Sequence, residues 1–368
     1  GVNTWGAYQC YGDPAYSLQR NGPQRTRRRE DFHTPDELVT ELDNLTEGLR
    51  VGGKAEGRDE ATAARINALL GRIPEAERKR WLGRADVAAA LGFAWGEARF
   101  WEAAIEALNT ALTAAKGNCP LRSFEQLANF RVRHAADLLQ ASRARGVRET
   151  ADEISARRAL VADALDDLAK LCERVPTCER LNLLGSAHKR QALMAADDRD
   201  VRLAALDASA DAYQKSFLRG DRREAYPFTN WASAALLAVR LAPGRADAWR
   251  AGLEADIDRL QAALQARYAS EPDFWDGAAL ADLELVRLLE RCIGAPGAVT
   301  RPRRTAALPR PCAEIAERIR DAYRDAITRG ASPRERASVI ENLDWLITLL
   351  GQDLPALRKA LEEIRDAL

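Results

Sequence analysis

Residues able to carry chemistry are scarce in this 368-residue chain. Only three histidines occur, His33, His134 and His188, which leaves little to titrate near neutrality or to hold a metal. The six cysteines, at 10, 119, 172, 178, 292 and 312, form no Cys-x-x-Cys pair, so neither a zinc ribbon nor a dithiol redox motif is written here. They are expected to be ordinary reduced thiols of a cytoplasmic protein. No apolar run reaches the ~20 residues of a membrane-crossing helix, so no membrane partner is expected. Lys plus Arg equals Asp plus Glu at 55 each, so no bulk charge draws the chain to nucleic acid. Aromatics make up 6%, and 15 prolines and 23 glycines are few for this length, which favours long helices over a β-sandwich. What is abundant is a 46% hydrophobic, 30% charged mixture, the composition of a packed core with a solvated surface.

Catalytic and cofactor motifs are missing as well. Gly52-Gly53-Lys54 is followed by Ala55, where a phosphate loop needs a hydroxyl residue, and no strand precedes it. It reads as a loop that ends a helix. Asp166-Asp167 and Asp197-Asp198 are sequence neighbours, diverge on a helix and cannot form a carboxylate dyad. The chain is therefore read as no enzyme in itself, with no catalytic residue, no metal ligand and no cofactor.

Punctuation divides the chain into three parts. Residues 1–16 open with Val2-Asn3-Thr4-Trp5-Gly6-Ala7-Tyr8 and stop at Gly12-Asp13-Pro14, which predicts one strand and a turn. A lone strand needs neighbours from elsewhere. Residues 17–33 form a linker carrying Arg25, Arg27, Arg28 and Arg29. From 34 to 368 the signals are helical. Thr34-Pro35-Asp36-Glu37 and Ser332-Pro333-Arg334-Glu335 each supply a capping residue, proline at the first helical position and an acid at the third. The predicted helices run over 36–50, 59–71, 75–98, 101–115, 121–144, 150–174, 178–195, 200–218, 227–241, 245–268, 273–292, 312–328, 334–350 and 354–367. Within the gap before Pro311, residues 300–304 are the expected flexible loop. The only methionine is Met194, so Gly1 is expected to follow a further upstream portion.

Helix pairs with short breaks invite a search for repeats. Leu91-Gly92, Trp95, Ala104, Leu108 and Ala111 follow the order of a tetratricopeptide repeat, in which small residues let two antiparallel helices meet under an aromatic. Leu184-Gly185, with His188 in the aromatic slot and Ala205, Ala208, Ala212 and Tyr213 after it, forms a looser copy. The fold class predicted is all-α, a tetratricopeptide-like helical-repeat solenoid behind a short N-terminal strand. In such a solenoid the inner helices line a concave groove. Polar residues set in apolar helices, Asn129, Arg133, Asn182, Lys189, Arg190 and Asn230, are the candidate partner-binding residues, with Trp101 and Trp231 as aromatic anchors. Asn129 and Arg133 are four apart and share a face. The competing reading ties these polar groups to acids and helix ends inside the fold.

The stretch Asn3-Thr4-Trp5-Gly6-Ala7-Tyr8-Gln9-Cys10-Tyr11-Gly12-Asp13-Pro14 resembles the final strand of the CHAT domain, a caspase-like cysteine peptidase module of bacteria. Phe124-Glu125-Gln126-Leu127-Ala128-Asn129-Phe130, Glu179 to Arg190, Ala225 to Trp231, Phe274-Trp275 and Ala331 to Ser338 resemble, in order, the helical region that follows that domain. The same region is similar, more distantly, to the regulatory region of apoptosis signal-regulating kinases. The resemblance implies a non-catalytic regulatory region that binds a protein partner or its own peptidase domain, with the catalytic pair lying upstream. Two other readings stay open: a nucleic-acid-binding adaptor using the arginines near 25–29 and 301–304, and a scaffold that self-assembles through its opening strand.

Overall fold

A computed structural model describes residues 31–52, 59–146, 149–195, 198–242, 252–294, 307–351 and 353–368. Its helices start where capping chemistry says they should. Pro35 opens α1 (Pro35–Gly52), where the Glu37 backbone N–H donates to Thr34 Oγ1 at 3.4 Å and the His33 N–H to the Glu37 carboxylate at 2.9 Å. Ser332 opens α14 (Pro333–Leu350) with a full capping box: the Glu335 N–H donates to Ser332 Oγ, and the Ser332 N–H to the Glu335 carboxylate. Thr150 does the same for α7 (Ala151–Arg174).

The remaining helices are α2 (Glu60–Leu70), α3 (Glu75–Leu82), α4 (Ala85–Glu97), α5 (Trp101–Thr113), α6 (Arg122–Arg145), α8 (Cys178–Met194), α9 (Arg199–Arg219), α10 (Ala225–Leu241), α11 (Leu253–Ser270), α12 (Phe274–Leu289), α13 (Arg310–Thr328) and α15 (Pro355–Asp366). A π-helical turn, Glu290–Gly294, extends α12. No strand occurs among the described residues. The architecture is an all-α helical-repeat solenoid.

One expected helix divides. Residues 75–98 form α3 and α4 because Gly83 ends the first and Arg84 turns extended, at φ −87° and ψ 141°. Arg84 then clamps the Asp86 carboxylate through two nitrogens, and the Ala85 N–H donates to Lys116 O, on the chain leaving α5. The predicted helix at 245 is described only from Leu253. The opening strand, the arginines at 25–29, the loop at 300–304, Gly53 and Lys54 lie outside the described residues.

Small residues set the helix spacing, as the repeat pattern requires. A Cβ on Gly92 would lie 2.6 Å from Leu108 Cγ, and one on Gly185 2.7 Å from the Tyr213 ring, so α4–α5 and α8–α9 pack at a distance only glycine permits. Ser209 adds a hydrogen bond to Gly185 O at 2.9 Å. Gly277 repeats the device on α12, facing Ala326 of α13 at 2.8 Å, without the Leu-Gly signature. Successive pairs are stitched by ions: Arg131 of α6 to Asp167 of α7, and Arg180 of α8 to Glu125 of α6. Asp166 faces the other way and pairs with Lys170, which matches the divergence expected of neighbouring acids.

The even-numbered helices α4, α6, α8, α10 and α12 form one row: α4 packs on α6, α6 on α8, and α10 on α12. Lys189 of α8 reaches Asn230 of α10 across the remaining step. This row positions the candidate site.

Candidate functional site

The row does not stand open. Helix α14 returns from late in the chain and lies across it. Arg334, in the first turn of α14, pairs with Glu97 at the end of α4 at 2.5 Å. Two turns further on, Glu341 pairs with Arg190 at 2.6 Å, and Asn342 Oδ1 accepts from Lys189 Nζ at 2.7 Å. Trp345 is 4% exposed. Its indole N–H donates to Lys189 O at 2.9 Å, and Lys189 Nζ sits 4.3 Å from its ring centroid, a cation–π arrangement. Just past the helix, Asp353 meets Arg240 at the end of α10 at 3.0 Å. An 18-residue helix spans about 27 Å, enough to reach from α4 to α10.

Two candidates, Lys189 and Arg190, therefore hold a segment of this same chain. Lys189 Nζ donates to Asn230 and to Asn342, and Arg190 donates to Ser186 Oγ and to Glu341. Adjacent residues of α8 thus take adjacent residues of α14. Asn230 also anchors itself by donating from Nδ2 to Tyr226 O at 2.9 Å. All three side chains have hydrogen-bond partners inside the fold.

Asn129, Arg133 and Asn182 gather beside these contacts, on a cleft of about 740 Å³ between α6, α8 and the start of α10, together with Ser186, Arg223 and Tyr226. Arg133 Nε donates to Asn129 Oδ1 at 3.4 Å, and Asn129 Nδ2 donates to Gln126. The shared face expected of residues 129 and 133 is present.

Trp231 corrects the sequence reading. At 8% exposure it is core, with ring centroids 6.1 Å from Phe217 and 5.9 Å from Phe228. Trp101 is 3% exposed and spends its indole N–H on Asp137 at 2.7 Å. The aromatic that does meet the row is Trp345. Sequence reasoning singled out neither Trp345 nor Glu341 and Asn342. Their spacing with Trp345, at i, i+1 and i+4, puts them on one helix face, the only local signal available.

Electrostatics follow from the desolvation of this centre. Burial, and next Arg190, push Lys189 down from 10.5 to about 7, against the opposing pull of Glu341 and Asp282. Arg190 first of all holds the Glu341 carboxylate down at about 2. At Arg190 burial works against the charge, and Glu341 together with Tyr213 and Tyr226 more than offsets it. Burial keeps His188, whose Nδ1 lies 3.0 Å from Gln191 Oε1, below its ordinary value. Cys119, Cys172, Cys178 and Cys312 are free thiols, and burial pushes Cys172 up, away from thiolate reactivity. Among the described residues no group of three or more His, Cys, Asp or Glu could hold a metal ion, and no helix is long and apolar enough to cross a membrane.

This fold, with glycine-spaced helix pairs and a polar row on one side, defines a tetratricopeptide-like repeat region. Residues 100–237 match the family model described as Tetratricopeptide Repeats-Sensor. Repeats of this type point to a protein-interaction or regulatory role. Every candidate site residue from Asn129 to Trp231 lies inside the matched stretch, whereas α14 lies outside it. No curated protein matches the chain.

Proposed function

We propose that this chain is a non-catalytic regulatory region that grips a protein segment across its even-numbered helices, and that it controls or targets a caspase-like peptidase domain placed upstream of residue 16. The single observation that carries the binding half is α14 itself. A helix already lies on the row, held by Arg334–Glu97, Arg190–Glu341, Lys189–Asn342 and the Trp345 clamp. The surface is therefore of a shape and charge that accepts a helix offering a carboxylate, an amide and an indole on one face. An outside partner competes with α14, and the peptidase senses that partner through the exchange. The peptidase half rests on the resemblance of residues 3–14 to the last CHAT strand, and on the order of the motifs that follow it.

The test uses the full-length protein, intact and lacking residues 34–368, on a proteome-derived peptide library. Cleavage that appears or vanishes on deletion is the expected result. Identical cleavage by both forms defeats the regulatory reading and leaves targeting alone.

A further inference from the structure

Charge is not balanced behind α14. Arg133, Lys189 and Arg190 converge there, and Glu341 is the one carboxylate bonded to any of them among the described residues. Asp282 acts on Lys189 from further off. It is itself half-buried and hydrogen-bonded by the Tyr323 hydroxyl at 2.5 Å, and desolvation favours its neutral form. Lys189 is served by two asparagine oxygens and Arg190 by Glu341. Arg133 has only the long bond from Nε to Asn129, so its terminal nitrogens are left to the cleft they line. Burial and then Arg190 work against its charge, and Glu341 favours it without bonding to it. An arginine does not escape this by losing its proton, and a desolvated cation with no bonded counterion is costly.

The same cleft holds a second unmet demand. Asn182 Oδ1 is buried and has no hydrogen-bond partner. A buried acceptor of this kind calls for a donor. Ser186, one turn along α8, and the half-exposed Tyr226 complete a polar wall. The volume of about 740 Å³ falls within the usual range for small-molecule sites. Glu179, Asp221 and Glu224 line the cleft's exposed rim, offset there by Arg223. A nucleic acid or other polyanion would meet three carboxylates on entry, so the rim selects against it.

We propose that the cleft between α6, α8 and α10 is a binding site for a small organic acid, whose phosphate or carboxylate seats on Arg133 while a neighbouring hydroxyl or N–H donates to Asn182 Oδ1. This site adjoins the α14 contacts, since Arg190 also bonds Ser186 of its wall, and it does not depend on the peptidase reading. Arg133 supplies the planar fork that suits either anion, and Asn182 supplies the discrimination, because an analogue lacking the donor leaves that oxygen unpaired.

The test is calorimetric titration of the whole chain with glycerol 3-phosphate, with malate, and with succinate, which lacks malate's hydroxyl. Saturable binding of glycerol 3-phosphate or malate is expected, and the tighter of the two names the anionic group. Arg133→Gln should weaken it about tenfold or more without lowering the melting temperature by much, since no carboxylate is bonded to the charge it removes. Succinate should bind about fivefold or more weaker than malate, a comparison that needs no variant. Absence of saturable binding by both hydroxyl-bearing probes, unchanged affinity in Arg133→Gln, or equal binding of malate and succinate would overturn the assignment.

Discussion

Gly185 and Gly48 show how one residue type does opposite things at two places. At Gly185 an added methyl would meet the Tyr213 ring at 2.7 Å, whereas at Gly48 it would meet nothing within 4 Å. Alanine gains up to ~1 kcal/mol over glycine in a helix interior, while overpacking a tight contact costs ~1–3 kcal/mol. Gly48→Ala is thus expected to raise the urea midpoint and Gly185→Ala to lower it, and equal shifts would deny the close approach of α8 and α9. Lys189 makes a second prediction at this scale. Its folded value, about 7, lies below the ordinary 10.5, so between the two the unfolded chain binds more protons and stability rises with pH. Lys189→Met should flatten the rise in urea midpoint between pH 7 and pH 9. A pH profile identical to the parent's would show that burial does not perturb this amine.

At the scale of the helix, α14 is held at its start by chemistry that can be removed cleanly. Ser332→Ala deletes one half of the capping box and should cost ~1 kcal/mol in thermal or urea unfolding, against a near-zero cost if the first turn of α14 is frayed. The Arg190–Glu341 pair is unequal: the arginine side chain is 14% exposed and the glutamate 59%. Breaking it from the Glu341 side should therefore hurt more than an ordinary surface pair, because Arg190 stays behind without its counterion. A double-mutant cycle with Arg190→Gln and Glu341→Gln is expected to give a coupling above ~0.5 kcal/mol, and additivity would remove the pair from the account. Helices of this kind were largely legible in the sequence, since caps, prolines and glycines act locally. The break at Gly83 was not, because what fixes it is Ala85 bonding to Lys116 some thirty residues on. The Gly92 and Gly185 crossings were readable from Leu-Gly. Gly277 lacks that signature, and only its contact with Ala326 reveals it.

On the scale of the molecule, the polar residues stood out in the sequence and the helix that meets two of them did not. Asn129, Arg133, Asn182, Lys189, Arg190 and Asn230 stood out as polar groups in apolar helices, a pattern visible without coordinates. What they face depends on residues about 150 positions away: Arg190 with Glu341 and Lys189 with Asn342. No periodicity encodes so distant a return of the chain, and Trp345 looks from sequence like any buried tryptophan. For the same reason Trp231 was misplaced, since its burial is decided by Phe217 and Phe228 and not by its neighbour Asn230. The account makes α14 a resident ligand of the row, held by charge at its middle and capped at its start. Amide hydrogen exchange over residues 333–350, in the parent chain and in Arg190→Gln, tests this most directly. Faster exchange confined to that segment, with α8 and α9 still protected, is the predicted result. Unchanged protection of 333–350 in the variant would mean that α14 is fixed by its packing alone and that the row does not grip it.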